Sequence, residues 1–533
     1  MKKFLLIILA LVTAKTFSQT AAVGTSSQWL DINNVKARIM NGGDLWRYTG
    51  AGGYIVPANA APQVSSQFVG GLWIGGYDAS NQLHVAAATY RQNGNDYFPG
   101  PLDANGSTTT QTCANWDVMY KVNRSTIDSF NLHLFTVTPN SIKLWPGKGN
   151  PFNTNTVGGT QDLAPFIDTD ADGIYNPSNG DYPSIRGDQE IWWVMNDVGN
   201  THTETNGAQL GFEFHCEAYV FTSNVCLNEA TFYHYDVINK GNNNYHSCYI
   251  GVWDDADLGS YVDDRMACDS TLNLGIIYNA DSFDEPTPVG YEFNPPMTAI
   301  QLLSSPTNYF GGMGTMTNCM TYVNNFSGNG NPVTANNYYN YLSSVYVDGT
   351  HLTYDSTGYG GTSQTNYQFT SFPDNGSGWS SCDSNVIPTD LRMISSSGPF
   401  LIPAGGNIHF DFCVLWDSTI NTWPCPTFTY IRQKAICAKS YFDSLTASVH
   451  ENNFSSTLKI YPSIISQGEK IIVEGKNISS LKIFSVTGIE LQSKKVFANA
   501  DSFIETTDLP AGIYFVQVKM MDGRMETAKF VVE

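Results

Sequence analysis

The 533-residue chain is long enough for several domains of ordinary size. Charged residues make up only 14% and aromatics 13%, with a formal net charge of -21. That acidity argues against nucleic acid as a partner and is compatible with divalent cations and neutral glycans, while the aromatic and Asn/Gly/Ser/Thr-rich mixture suits β strands joined by polar turns.

The N-terminus reads as a signal peptide over residues 1–18. Lys2 and Lys3 precede an apolar run from Phe4 to Val12 that is too short to anchor in a bilayer. Small residues at Thr16-Phe17-Ser18 make Gln19 the expected first mature residue. No later stretch has transmembrane length, so the mature chain is expected to lack a transmembrane anchor and to be secreted.

A β-rich body is expected over 19–449, with a split into two subdomains near 165 or 280 left open. Strand patterns occur at Phe68–Tyr77 (FVGGLWIGGY, with paired glycines at bulges or a hairpin), Leu83–Thr89, Phe130–Val137 and Ser141–Trp145. The run FIDTDADGIYNPSNGDYPSIRGDQEIWWVMND follows from Phe166. Asp168, Asp170 and Asp172 alternate before Gly173, which suits a cation needing six to eight oxygens around a tight turn. The Ile174 carbonyl, Asn176 and Asp181 are the further expected ligands. Position twelve is Asn179 rather than an acid, and no helical pattern flanks the loop, so it is not an EF-hand. It resembles the lone DxDxDG loops of thrombospondin type 3 and dockerin-like segments, which implies structural calcium.

In Gly211–Thr222, Glu213, His215 and Glu217 alternate with an apolar set. In Thr231–Asn239, Phe232, His234, Asp236 and Ile238 share a face. If these strands pair, one face gathers Glu213, His215, Glu217, His234 and Asp236. Such a face reads first as the polar outer side of an amphipathic sheet, and second as a metal site or acid/base pair. Glu213 and Glu217 lie about 13 Å apart along one strand, too far for a glycosidase pair, so catalysis would have to cross strands to Asp236. These three are the only weak catalytic candidates. Asp254, Asp255 and Asp257 before Gly259, with Asp263 and Asp264, suggest a second calcium loop.

Residues 281–400 are rich in Pro, Asn, Gly, Ser and Tyr, and the aromatics of Asn337–Leu342 could be exposed to stack on sugars or peptides, although such rings more often pack in cores or turns. Phe400–Ile402 and Ile408–Trp416 read as closing strands. Phe428–Leu445 has helical spacing. Ten cysteines in an exported chain favour disulfides, with Cys216/Cys226 and Cys425/Cys437 the expected local bridges. No HExxH, GxSxG, Walker or GxGxxG motif occurs, which leans against an enzyme without excluding a carboxylate glycosidase.

Composition changes near residue 457. All Cys, Trp and His lie before it, and residues 458–533 hold nine basic and nine acidic residues. The polar run 450–457 reads as a linker. Short alternating segments at Leu458–Tyr461, Lys470–Glu474, Leu481–Ser485, Phe503–Thr506, Ile513–Met520 and Met525–Val532 predict a small Ig-like β sandwich. LKIYPS, SLKIFSVTGIEL and TTDLPAGIYFVQVKMMDGRMETAKFVVE resemble the C-terminal (Por) sorting domain of the Bacteroidetes type IX secretion system. The resemblance rests on Tyr461, Pro462, Gly488, Leu509, Gly512, Tyr514 and Lys529, and implies recognition by the outer-membrane translocon and sorting machinery. GDQEIWWVMND and DDADLGSYVDDRMACDSTLNLGIIYN make the body similar to uncharacterised large secreted proteins of that group. The expectation is a mostly β, multi-sheet sandwich-like body with calcium-type loops, released or attached at the cell surface. Its expected role is structural, adhesive or binding, towards glycans or surface proteins, with a glycan-active enzyme as the alternative.

Overall fold

The computed structural model describes residues 20–533 except 49–51, 93, 223–225, 287–288, 307–314, 325–327, 355–356, 373–377, 385, 420–421, 424, 447–458, 462–463, 475–477, 486–489, 496–501, 506–508, 521–524 and 533. The expected signal peptide and linker, Pro462 and Gly488 lie outside the described residues. The chain divides into two units, residues 1–445 and 446–533.

The first unit is built on two antiparallel sheets. The ten-stranded sheet runs, by neighbours, through Asn318–Val323, Leu391–Ile402, Tyr245–Asp255, Val69–Tyr77, Asp44–Leu45 and Lys36–Met40 to Tyr54–Ile55 and Ser65–Gln67. The nine-stranded sheet runs through Asp264–Asp269, Leu274–Asn279, Met297–Ser304, Asn407–Asp417, Ala230–Asn239, Phe212–Val220 and Gln189–Asn196 to Phe98–Pro99. Alternation decides the layering. Leu72 and Ile74 from one sheet, and Phe212, Phe214, Cys216 and Ala218 from the other, share one buried core. Trp46 crosses that core and donates from Nε1 to Tyr233 Oη at 2.7 Å. VGGLWIGGY, Val69–Tyr77, is one continuous strand, not a hairpin. Its Gly70 makes room for Trp46, since a Cβ there would sit 2.4 Å from the indole.

Each outer face is partly roofed. On the ten-stranded sheet, helix Ala335–Leu342 packs Tyr338, Tyr339 and Tyr341 against Trp73 and Trp253. Thr334 caps it in a reciprocal capping box with Asn337. Of the two readings left open for this aromatic run, packing into the core is the one found for Tyr338, Tyr339 and Tyr341. On the nine-stranded sheet, helix Thr429–Thr446, expected from its spacing, covers Phe232 and Cys413. A helical insertion packs Trp116, Ile127 and Trp145 on Trp192 and Val194.

That insertion corrects two expected strands. Phe130 lies in helix Arg124–Asn131, whose apolar contact is Ile127, and the following Leu132, Leu134 and Val137 are exposed. Ser141 lies in a single turn, Asn140–Lys143, entered from Pro139. Their apolar runs mimic buried strands, yet much of that apolar surface faces solvent.

The bridges also differ from the local pairs. Cys226 joins Cys437, Cys268 joins Cys319 and Cys382 joins Cys425. Cys216 is a free buried thiol because its strand position faces the inter-sheet core. Cys268–Cys319 ties an edge strand of one sheet to an edge strand of the other.

The second unit holds a three-stranded and a five-stranded sheet around Ile471, Val473, Leu481, Ile483, Val516, Val518 and Phe530. Ile464–Ile465 and Glu490–Lys495 are strands the sequence did not announce. Ile464–Ile465 pairs in parallel with Met525–Val532.

Candidate functional site

Strand Tyr245–Asp255 ends in two aspartates that alternation sends to opposite faces. Asp254 is wholly buried with neither carboxylate oxygen hydrogen-bonded, and burial raises its pKa strongly. Asp255 faces outward and lines a solvent-open cleft of about 520 Å³. Two long-range neighbours meet it there. Arg392, its cross-strand partner, places Nη2 3.4 Å from Asp255 Oδ2 and Nη1 2.6 Å from Asp390 Oδ1. Tyr90 donates its hydroxyl to Asp255 Oδ2 at 2.6 Å and accepts from Arg392 Nε at 2.8 Å.

The chain then turns sharply, with φ 37° at Asp257 and 75° at Gly259. A side chain at Gly259 would lie 2.0 Å from Asp284 Oδ2, so the turn requires glycine. The turn swings Asp257 back beside Asp255. Ligand atoms of Asp255, Asp257 and Asp390 lie within 4.8 Å of one another. Asp255 is 1% exposed, and its Oδ1 has no hydrogen-bond partner. Burial pushes Asp255 up to about 6. Burial, then the neighbouring Asp255 and Asp390, push Asp257 up to about 8. Three crowded carboxyls with one arginine are an arrangement that a divalent cation would relieve.

Half-buried Phe68 and Tyr90 and exposed Tyr261 also line the cleft, with Asn324 and Asn331. Tyr338 donates to Glu204 Oε1 at 2.8 Å in its wall. The expected second calcium loop is thus split. Asp255 and Asp257 join Asp390, and Asp254 faces away. Asp264 Oδ2 accepts from Leu258 N at 3.1 Å, and Asp263 Oδ2 accepts from Asn279 Nδ2 at 2.7 Å. Asp390 and Arg392 carried no local signal, since both lie over 130 residues downstream in a Ser/Pro-rich stretch.

On the other sheet, Phe212–Val220 and Ala230–Asn239 do pair, with Glu217 opposite His234 and His215 opposite Asp236. The third strand adds Asp411 beside His234 and His409 beside Asp236. The face is not the solvated one expected. Glu213, Glu217, His234 and Asp411 are all buried, because the helix on one flank and the insertion on the other close around it. Glu213 accepts from Leu102 N at 2.6 Å and lies 2.8 Å from His215 Nε2. Glu217 pairs with Arg186. Two of the three weak catalytic candidates, Glu213 and Glu217, are therefore held by fixed partners, while the third, Asp236, meets two histidines.

The Asp168 loop brings three of its expected ligands together. Asp168, Asp170 and Asp172 bring ligand atoms within 4.8 Å of one another. Gly173, at φ 77°, donates to Asp168 Oδ2 at 2.8 Å, and Asp168 Oδ1 has no partner. Wholly buried Asp181 accepts amides from Thr169 at 2.7 Å and Asn176 at 2.8 Å, bracing the loop from behind. The Ile174 amide donates to Asp172 Oδ1 at 2.8 Å.

In the second unit, Leu509 is buried, and Tyr514 donates to the Pro510 carbonyl at 2.7 Å and stacks on Phe530 at 5.5 Å. Gly512 opens the strand Gly512–Met520, exposed Lys529 lies on the strand paired with it, and Tyr461 ends Lys459–Tyr461.

No curated protein matches the sequence. Among solved structures, a polysaccharide lyase aligns over 60% of this chain at 9% identity and a TM-score of 0.18. The chain spans 34% of that lyase's length. A biofilm associated protein, BSP domain, aligns over 99% of this chain and 84% of its own at 8% identity and a TM-score of 0.14. Neither similarity informs the site. No described helix is long and apolar enough to cross a membrane. Residues 459–533 match the family model for the secretion system C-terminal sorting domain. The chain is thus a secreted protein that carries a type IX sorting domain at its C-terminus.

Proposed function

We propose that the body is a calcium-stabilised extracellular binding protein that holds a glycan in the cleft at the end of Tyr245–Asp255. The observation that carries this reading is the composition of the cleft. Aromatic side chains at Phe68, Tyr90 and Tyr261 sit beside Asp255, Asp257, Asp390, Asn324 and Asn331. Ring faces stack on sugars, and carboxylates and amides bond their hydroxyls. A calcium ion on Asp255, Asp257 and Asp390 would neutralise the acidic wall and offer open positions to sugar oxygens. A second calcium in the Asp168–Asp172 loop would be structural.

The binding reading is preferred to a hydrolase because Glu213 and Glu217 are engaged in fixed pairs. The type IX sorting domain places such a binder outside the cell, released or attached to the surface. Pull-down of the purified chain on a panel of polysaccharides, with calcium and with chelator, tests the reading. Calcium-dependent retention that weakens in Tyr261→Ala supports it. Release of reducing ends would make the protein a hydrolase. Retention by no polysaccharide would turn attention to surface proteins as partners.

A further inference from the structure

We propose that His234, Asp236 and His409, on the outer face of the nine-stranded sheet, bind a zinc-class transition-metal ion. The three come from two neighbouring strands, and His409 lies directly across from Asp236. Their ligand atoms lie within 4.8 Å of one another. His234 Nε2 is 3.0 Å from Asp236 Oδ1, and His409 Nδ1 is also in contact with that carboxylate. Two ligand atoms each about 2.1 Å from zinc stand roughly 3.0–3.4 Å apart at angles between octahedral and tetrahedral. The His234–Asp236 spacing falls at the close end of that range.

The second observation is the state of His234. It is 5% exposed, and its Nε2 is shut off from solvent and faces the Asp236 carboxylate. Its other nitrogen, Nδ1, is 2.7 Å from Asp411 Oδ1. A carboxylate behind the ring fixes Nδ1 as the donor and aims Nε2 at Asp236 and His409, the arrangement in which histidines serve metals once that nitrogen releases its proton to the incoming ion's solvent. Two imidazoles and one carboxylate suit zinc and its neighbours rather than calcium, which takes oxygen alone. Half of the His409 side chain is open to solvent, so the ion would keep a coordination position for water or ligand. The site shares no residue with the acidic cleft.

The test strips the purified full-length protein with chelator and titrates it with zinc alone by calorimetry, followed by metal analysis of the dialysed protein. One zinc per chain is expected. His409→Ala, a change at a half-exposed position, should abolish it, while His133→Ala, an exposed histidine outside the cluster, should not. Asp411→Asn should weaken zinc about 10–100-fold by loosening the His234 ring. Crystals soaked in zinc should show anomalous density between His234 Nε2, Asp236 and His409. Failure of the wild-type chain to take up zinc would overturn the assignment, and so would uptake unchanged in His409→Ala. The cluster would then be an ion-paired His–Asp ladder, and the cleft proposal would stand untouched.

Discussion

The acidic cleft makes a prediction with opposite signs in the two calcium states. Asp257→Asn removes one of three carboxylates whose oxygens lie within 4.8 Å of each other. Two unit charges at that distance repel by roughly 3 kcal/mol at an effective dielectric constant of about 20. The substitution removes two such repulsions. Arg392 and partial protonation already offset part of them, which leaves a gain of about 2–4 kcal/mol for the calcium-free chain. For a unit this large, that gain raises the melting temperature by about 4–8 °C or somewhat less. With calcium the order changes. Saturating calcium at about a hundred times its dissociation constant stabilises the wild type by about 2.7 kcal/mol, and the variant loses that share. The Asp168 loop contributes equally to both chains, so the quantity to compare is the difference between their calcium shifts. Differential scanning calorimetry in chelator and in excess calcium measures it. A variant that melts below the wild type in chelator, or gains as much from calcium, would refute the reasoning.

Other consequences follow from single residues. Paired substitution Asp170→Ala/Asp172→Ala should make chain cleavage between 168 and 174 insensitive to calcium, whereas calcium should protect the wild-type loop; limited proteolysis decides. His202 is wholly buried and sets Nδ1 2.7 Å from the Val85 carbonyl and Nε2 2.9 Å from the Asp197 carbonyl, so both nitrogens donate and the ring is cationic. Burial opposes that charge, but Asp96 and then Asp197 outweigh it and raise the pKa from 6.5 to about 9. A raised histidine stabilises fully below pH 6.5 and loses that contribution as pH climbs through about 9, about 3 kcal/mol in all. His202→Gln should flatten that alkaline loss in a denaturant series, and an unchanged profile would show that another group causes it. Cys268→Ser/Cys319→Ser opens a bridge spanning 51 residues and should cost about 4 kcal/mol by chain entropy, read as a lower denaturation midpoint. Deleting residues 458–533 should leave the protein in the periplasm, and surface delivery of the truncated chain would contradict the role of its sorting domain.

Features set by neighbouring residues were legible in the sequence. Alternation separated Glu213, His215 and Glu217 from Phe212, Phe214 and Cys216, and the pairing of that strand with Ala230–Asn239 followed. The DxDxDG spacing identified a loop whose carboxylates do converge. The sorting domain was visible because its turns and strands carry a distinctive local pattern. What long-range pairing decides was hidden. His409 and Asp411 complete a site begun at His234, and Asp390 and Arg392 complete one begun at Asp255. No local signal links segments so far apart, and the same reason defeated the disulfide pairs, since Cys226 finds Cys437 across 211 residues. The misread strands at 130–145 fail differently. Apolar runs predict burial, but Leu132, Leu134 and Val137 lie on the surface beside a helix. Burial of the polar face was also hidden, because its two covers come from opposite ends of the body.

The most direct measurement is a crystal structure of the full chain grown with calcium and an oligosaccharide from the polysaccharide it retains. The proposal predicts calcium between Asp255, Asp257 and Asp390, with sugar packed against Phe68, Tyr90 or Tyr261. Sugar bound elsewhere, or a cleft holding neither cation nor sugar at saturating concentrations, would contradict it.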